Sequence, residues 1–381
     1  MQCIDNIEKK LNTIATSLTG LQREQSWPCE ELLNQAVYQT QNFLHPHLEK
    51  LQNTAQILLE TTEGAHSKAV DVETLFRAWH MDKNPPSLLS LCIFLLEHLA
   101  VKPSPDDANM LIVSAILGQI HNEPAYHNDM HFRKVLSQAI RLIIVNNDIY
   151  EGTSRALDTK QICTLLSAAC IHDLDHDGQG NVVKGIHIEG RAEKHSYNIV
   201  KPYLAAAGCD DETLKTLLTM LLTTDVSPLD DPTNPMMQMK AAYRFHFLGE
   251  KIKAHSLNLS TDIRALEKDP ALTTLCMLLH EADIATSAGV TYDVTKYETT
   301  LIMEEFKDDK AYPSDVVTFL DQVCHRRFLS AAALKLYAGN MARICALAEQ
   351  DVKNGNEAYG PSNLSNFLMP HAEHSNNKTL N

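Results

Sequence analysis

Three short strings in this chain carry the residue types that bind metals and move protons. Tyr126-His127-Asn128-Asp129-Met130-His131 follows a break at Pro124, so it opens a helix that runs on through Val135 and Ile140. Its two histidines stand four apart and share a helix face. His172-Asp173-Leu174-Asp175-His176-Asp177-Gly178 closes a helix whose Leu165, Leu166, Ala169, Cys170 and Ile171 read as core. His280-Glu281-Ala282-Asp283-Ile284 ends another apolar helix, with Leu275, Met277, Leu278 and Leu279, and sets Asp283 where core is expected. A carboxylate or imidazolium placed there loses its hydration and must find a partner or change protonation. A bound metal resolves that conflict at once. Taken singly, each string has a bland reading as a surface histidine pair, a chance His-Asp doublet or a turn.

The elements that must position these strings read as helices. Segments Leu88–Leu99, Met110–Ile120, Val135–Val145, Ile162–Ile171, Leu214–Leu222, Leu272–Ile284 and Ala331–Leu347 place apolar residues three and four apart. No strand series alternates, so the fold class is all-α. Turn chemistry separates the segments, as in Lys102-Pro103-Ser104-Pro105 and Asp177-Gly178-Gln179-Gly180. Residues 1–70 form an N-terminal helical segment in which Ile4, Ile7, Leu11, Ile14, Leu18 and Leu21 make an a/d seam. That seam either packs on its own domain or joins two copies as a homodimer. A second helix runs through Phe43, Leu48, Leu51, Ala55 and Leu58 to a stop at Thr61-Thr62-Glu63-Gly64. Residues 71–355 make the main domain, and 356–381 a polar tail rich in Asn, Ser and His.

Composition narrows the classes. With 33 Lys and Arg against 48 Asp and Glu, a formal charge of −15 argues against a nucleic-acid surface. An acidic chain that takes an anionic substrate needs positive charge from elsewhere, and a metal pair supplies it. Nine cysteines without a Cys-x-x-Cys fit neither a disulfide framework nor a structural zinc site. They read as reduced thiols. Met1 to Lys10 lacks the apolar stretch of a secretory leader, and no run is long enough to span a bilayer, so a cytoplasmic, non-membrane protein is expected.

Taken in order, these strings resemble the ligand set of the HD phosphohydrolases. More narrowly, Tyr126-His127-Asn128-x-x-His131, His172-Asp173-x-x-His176-x-Gly178 and Ala282-Asp283-Ile284 are similar to the signature of the class I cyclic-nucleotide phosphodiesterases, over roughly residues 75 to 350. The resemblance implies a compact helical bundle that hydrolyses cAMP or cGMP to the 5′-monophosphate with two divalent ions. His131, His172, Asp173 and Asp283 would hold the first, zinc. Asp173 would bridge to the second, magnesium or manganese. A hydroxide between the ions would attack phosphorus in line, and His127 would protonate the departing 3′ oxygen. His176, Glu193, Thr224 and Asp225 would order waters of the second metal, and Asn181 fills a position the family also gives to asparagine.

Ordinary readings stand beside these: Glu193 as a helix-surface glutamate, Asp225 as a turn residue, Asn181 as part of a tight turn. The base-recognition half departs from the family. Thr286 stands where an asparagine contacts the base, and about nine residues are missing before Glu193. The purine-binding glutamine finds only Gln322, with His325 in the stacking position and Phe328 nearby, while Tyr126 adjoins the acid histidine. Arg326 or Arg327 could instead meet a second charged group of a different phosphoester. A non-catalytic metal-bound sensing or scaffold domain is the alternative of another class, and it has no need of a proton donor at His127.

Overall fold

In a computed structural model, residues 2–25, 27–60, 66–229, 231, 233–250, 260–308, 310–359 and 367 are described. The chain opens with α1 (Gln2–Gln22), α2 (Glu30–Asn53), α3 (Ala55–Leu59), α4 (His66–Met81), α5 (Leu88–His98) and α6 (Pro105–Gly118). The central helices are α7 (Asp129–Ile149) and α8 (Thr159–Ile171), followed by a two-strand hairpin of β1 (Val182–Val183) and β2 (Ile186–His187). Then come α9 (Arg191–Ala206), α10 (Asp211–Leu222), α11 (Pro235–Phe247) and α12 (Pro270–Ala288). Last are α13 (Tyr292–Glu305), α14 (Pro313–Gln322) and α15 (Ala331–Lys353). The fold is all-α, as its periodicity requires.

Helices α7, α8 and α12 form the centre. Every residue of α8 from Ile162 to Ile171 is buried, and α12 is buried from Leu272 to Ala288 except at Asp283. A helix apolar all round has to be enclosed by others, which explains why both lie inside. Their ends are fixed by side chains. Asp158 and Gln161 make a reciprocal capping box on α8, and Asp269 accepts from Leu272 N with Pro270 beside it at the start of α12. Close approach of α6 to α8 depends on Gly118: a Cβ there would collide with the carbonyl oxygen of Cys170.

The seam of α1 is spent within the chain. Ile7, Leu11, Ile14 and Leu18 are buried in the common core, and Lys10 Nζ donates to Pro105 O and Asn109 Oδ1 on α6, each at 2.9 Å. The side chain of Ile4 lies outside the described residues. The single helix expected through Leu58 breaks at Thr54, which caps α2 and opens α3; its stop at 61–64 lies outside the described residues. Periodicity also passed over α9, α11, α13, α14 and the hairpin. The hairpin turns tightly because Lys184 and Gly185 take left-handed φ angles of 52° and 76° in a two-residue turn. The tail expected at 356–381 is anchored at Tyr359, whose N–H donates to Ala311 O at 2.8 Å, and at buried Phe367; residues 360–366 and 368–381 lie outside the described residues. Among the described residues no helix is long and apolar enough to cross a membrane.

Candidate metal and acid–base centre

Three helix ends and one helix interior converge. Asn128 caps α7, its side chain accepting from Met130 N at 2.9 Å and His131 N at 3.2 Å, which fixes the first turn that carries His131. His172 ends α8, and its Nδ1 lies 3.1 Å from Ala169 O. Nδ1–H donation to that carbonyl leaves the Nε2 lone pair facing inward. There His172 Nε2 lies 3.3 Å from His131 Nε2 and 3.0 Å from Asp173 Oδ2. Asp283, from α12, brings Oδ1 to 3.3 Å from His131 Nε2, and Asp173 Oδ2 is 3.6 Å from the same atom.

Two imidazoles and two carboxylates, all mostly buried, thus face one point. Burial opposes protonation of His131, yet the two carboxylates push its pKa up to about 9. Asp173 is held well below the usual carboxylate range against burial, chiefly by His172 and His127. Such a cluster has the donor set for a cation. Mixed nitrogen and oxygen donors, with atoms of His131, His172 and Asp283 within 4.8 Å of one another, suit a divalent ion such as zinc.

His127 stands beside this cluster, its Nε2 3.9 Å from Asp173 Oδ2. Its Nδ1 lies 2.6 Å from Glu305 Oε1 at the end of α13, and Glu305 Oε2 accepts from the backbone N–H of Tyr126 and His127 at 2.9 and 3.0 Å. Burial would raise the Glu305 pKa, but the hydrogen bonds of His127 and His176 hold it far below the usual value. Glu305 is therefore an anion that fixes the ring and its tautomer. Burial and the neighbouring His176 lower the proton affinity of His127, while Asp173 and Glu305 pull the other way. The amide of Asn122 donates to His127 O and reaches Asp173 O at 3.5 Å, tying the two strings together. Glu305 and Asn122 escaped the sequence reading. Glu305 lies 178 positions from His127 in the chain, and nothing in the residues around it points to the pairing.

The other expected residues fall into two groups. His176 joins the centre: its Nδ1 is 3.2 Å from Glu305 Oε1 and its ring 4.0 Å from that of His127. Glu193 is buried on α9, accepts from Asn181 Nδ2 at 3.0 Å, and is pushed up to about 8 by burial and by the charge of Asp225. The charges of Asp225 and Asp173 both reach Glu193, while the second group of possible metal donors among the described residues is His127, His176 and Glu305. Asp225 itself braces loops, with Oδ2 accepting from Gly190 N at 2.9 Å and Oδ1 from Ser227 N at 2.8 Å. Thr224 turns its hydroxyl onto Leu221 O at 2.8 Å. Asn181 accepts at Oδ1 from Ala192 N at 2.8 Å, fixing the start of α9. Tyr126 lays its ring 4.6 Å from that of His131.

The recognition residues are dispersed. Thr286 is buried, its hydroxyl donating to Asp283 O at 2.7 Å. Phe328, expected near the stacking position, is 1% exposed and packs its ring 5.3 Å from that of Tyr337 in the core. His325 is exposed with φ 52° and lies 3.4 Å from Lys240 Nζ. Gln322 ends α14 half-buried. Arg326 is exposed and paired to Asp321 and Glu349 within the chain.

No protein-family model matches the chain. None of the curated proteins matches it either. Among solved structures, the chain is similar to the phosphodiesterase domain of the rhodopsin phosphodiesterase of Salpingoeca rosetta, with 16% identity and a TM-score of 0.48 over 77% of this chain and 97% of that one.

Proposed function

We propose that this protein is a metal-dependent phosphodiesterase that hydrolyses a 3′,5′-cyclic nucleotide, cAMP or cGMP, to the 5′-monophosphate. One observation carries the reading: His131, His172, Asp173 and Asp283 converge on a single point, and a histidine aimed by its own carboxylate, His127 on Glu305, stands beside it. A structural bundle has no use for the second feature. Two divalent cations, zinc held by His131, His172, Asp173 and Asp283 and magnesium or manganese beside Asp173, would supply Lewis acidity and lower the pKa of water.

The chain's own residues do the rest. His127 Nδ1–H is held by Glu305, so a proton carried on Nε2 points toward Asp173 and the substrate space beside it. As water adds to phosphorus and the P–O3′ bond breaks, that proton passes to O3′, and His127 regains one from solvent. Glu305 stays ionised and stabilises the imidazolium between turnovers. Asn122 holds the His127 carbonyl, so donor and metal ligands keep their spacing. Among the described residues the cysteines are free, most of them buried, which supports our placement of the protein in the cytoplasm.

A second reading keeps this chemistry and changes the substrate to another phosphoester, because Thr286 and Phe328 are used within the fold and leave the base little to touch. Turnover of cAMP and cGMP, measured with added Zn²⁺ and Mg²⁺ or Mn²⁺ beside Asp173→Ala and His127→Ala, separates the two. Hydrolysis of either nucleotide that disappears in both variants establishes the first. Stoichiometric metal with neither nucleotide turned over replaces it with the second, and absence of metal binding removes both.

A further inference from the structure

The tail contains one apolar stretch, Leu364 with Phe367, Leu368 and Met369, amid Asn, Ser and Pro. Phe367 is 3% exposed. Its ring stacks on Tyr297 of α13 at 4.1 Å and 19°, meets the edge of His80 of α4 at 6.2 Å, and lies under the guanidinium of Arg77 at 4.1 Å. Its carbonyl accepts from Arg77 Nη1. Arg77 is paired with Glu73 at 2.6 Å, and Glu73 Oε2 accepts from the hydroxyl of Thr291, the residue that caps α13, at 2.6 Å. A socket shaped for one aromatic residue thus joins α4 to the start and middle of α13.

The chain meets α13 a second time at Tyr359, whose hydroxyl lies 2.8 Å from that of Tyr292 in the helix's first turn; Tyr292 also donates to Asp351 at 2.9 Å. On the inner side, Glu298 is locked to Lys134 of α7 at 2.5 Å, both side chains buried. Helix α13 therefore lies between the body of the protein and residues that follow α15. Its last residue is Glu305, the partner of His127, eight positions and about 12 Å along the helix from Tyr297.

We propose that Phe367 is a clasp: seated in the socket of Arg77, His80 and Tyr297, it holds α13 in the register that sets Glu305 under His127. Phe367 is then a positioning residue for the acid histidine, although it touches nothing in the centre. Simple core burial predicts a loss of stability spread over the whole chain when the ring is removed. The clasp predicts a local one.

The test compares full-length wild type with Phe367→Ala and Phe367→Tyr, without any substrate, so its outcome is independent of the phosphodiesterase reading. Hydrogen exchange by mass spectrometry reads α13 (292–305) against α8 (159–171). The downfield imidazole N–H proton of the His127–Glu305 bond, assigned by its loss in Glu305→Gln, reads the centre. We expect exchange in α13 to rise by about tenfold or more in Phe367→Ala with α8 unchanged, the imidazole signal to weaken, and Phe367→Tyr to restore both. Equal acceleration in α8 and α13, or an unchanged imidazole signal, overturns the proposal. Should Phe367→Ala fail to fold, Phe367→Leu removes the ring while keeping apolar bulk and is read the same way.

Discussion

The His/Asp centre and the segment 320–330 lie on the same helical scaffold but spend their polar groups differently. In the centre, Ala169 O holds the His172 ring from behind and the Asn128 cap fixes the backbone turn that carries His131, and the Nε2 atoms of both rings face inward. In the segment, the functional atoms are used by the chain itself: Arg326 by Asp321 and Glu349, Phe328 by Tyr337, Val323 O by Lys240 at 2.7 Å. Residue types alone do not distinguish these cases. A group fixed from behind serves a ligand, whereas a group satisfied from the front serves the fold.

Five measurements can break or sharpen that contrast. Asp173→Ala should lower turnover at least about ten thousandfold, more than a single proton donor supplies, and elemental analysis should show metal lost. His127→Ala should cost about 10²- to 10⁴-fold in turnover with metal content unchanged, which separates the proton donor from the ligands. Glu305→Gln, acting through His127, should cost about 10- to 100-fold, read from steady-state kinetics with metal again retained.

The segment should answer in stability instead. Burial lowers the Lys240 ammonium from 10.5 to about 8, so between those values the folded chain binds fewer protons than the unfolded one and stability rises with pH. Urea midpoints of wild type should climb across that window, by up to about 3 kcal/mol in free energy, and those of Lys240→Met should stay level. The smallest effect belongs to Arg326→Ala: an exposed pairing is worth about 1 kcal/mol or less, and turnover should stay within about twofold of wild type. A large loss of turnover there would return the segment to substrate recognition and undo the comparison.

What the sequence disclosed follows the same division. Helices α5 to α8, α10, α12 and α15 were legible because their apolar faces are wide and their caps carry Ser, Asp and Pro in the expected places. His131, His172, Asp173 and Asp283 drew attention because ionisable residues beside apolar helices need a partner, and their grouping as one ligand set came from the resemblance of the three strings taken in order. Glu305 did not, since it ends a helix of mixed composition and its partner lies far off in the chain. The contacts of Phe328 and Arg326 were not legible for a related reason: Tyr337 and Glu349, which meet them, both sit on α15, beyond any local pattern. The heptad seam was ambiguous from spacing alone, and only the packing of Ile7, Leu11, Ile14 and Leu18 shows what covers it.

Gly118 has a consequence for how such a centre drifts over evolutionary time. It has no functional group and no place in any motif, yet any side chain there would press on Cys170, two positions before His172. A mutational scan scored by survival should therefore mark Gly118 among the least replaceable positions, alongside the histidines it never touches. Ancestral changes in α6 would have been admitted only where this spacing was kept, so the history of the centre is written partly in a residue that chemistry would overlook.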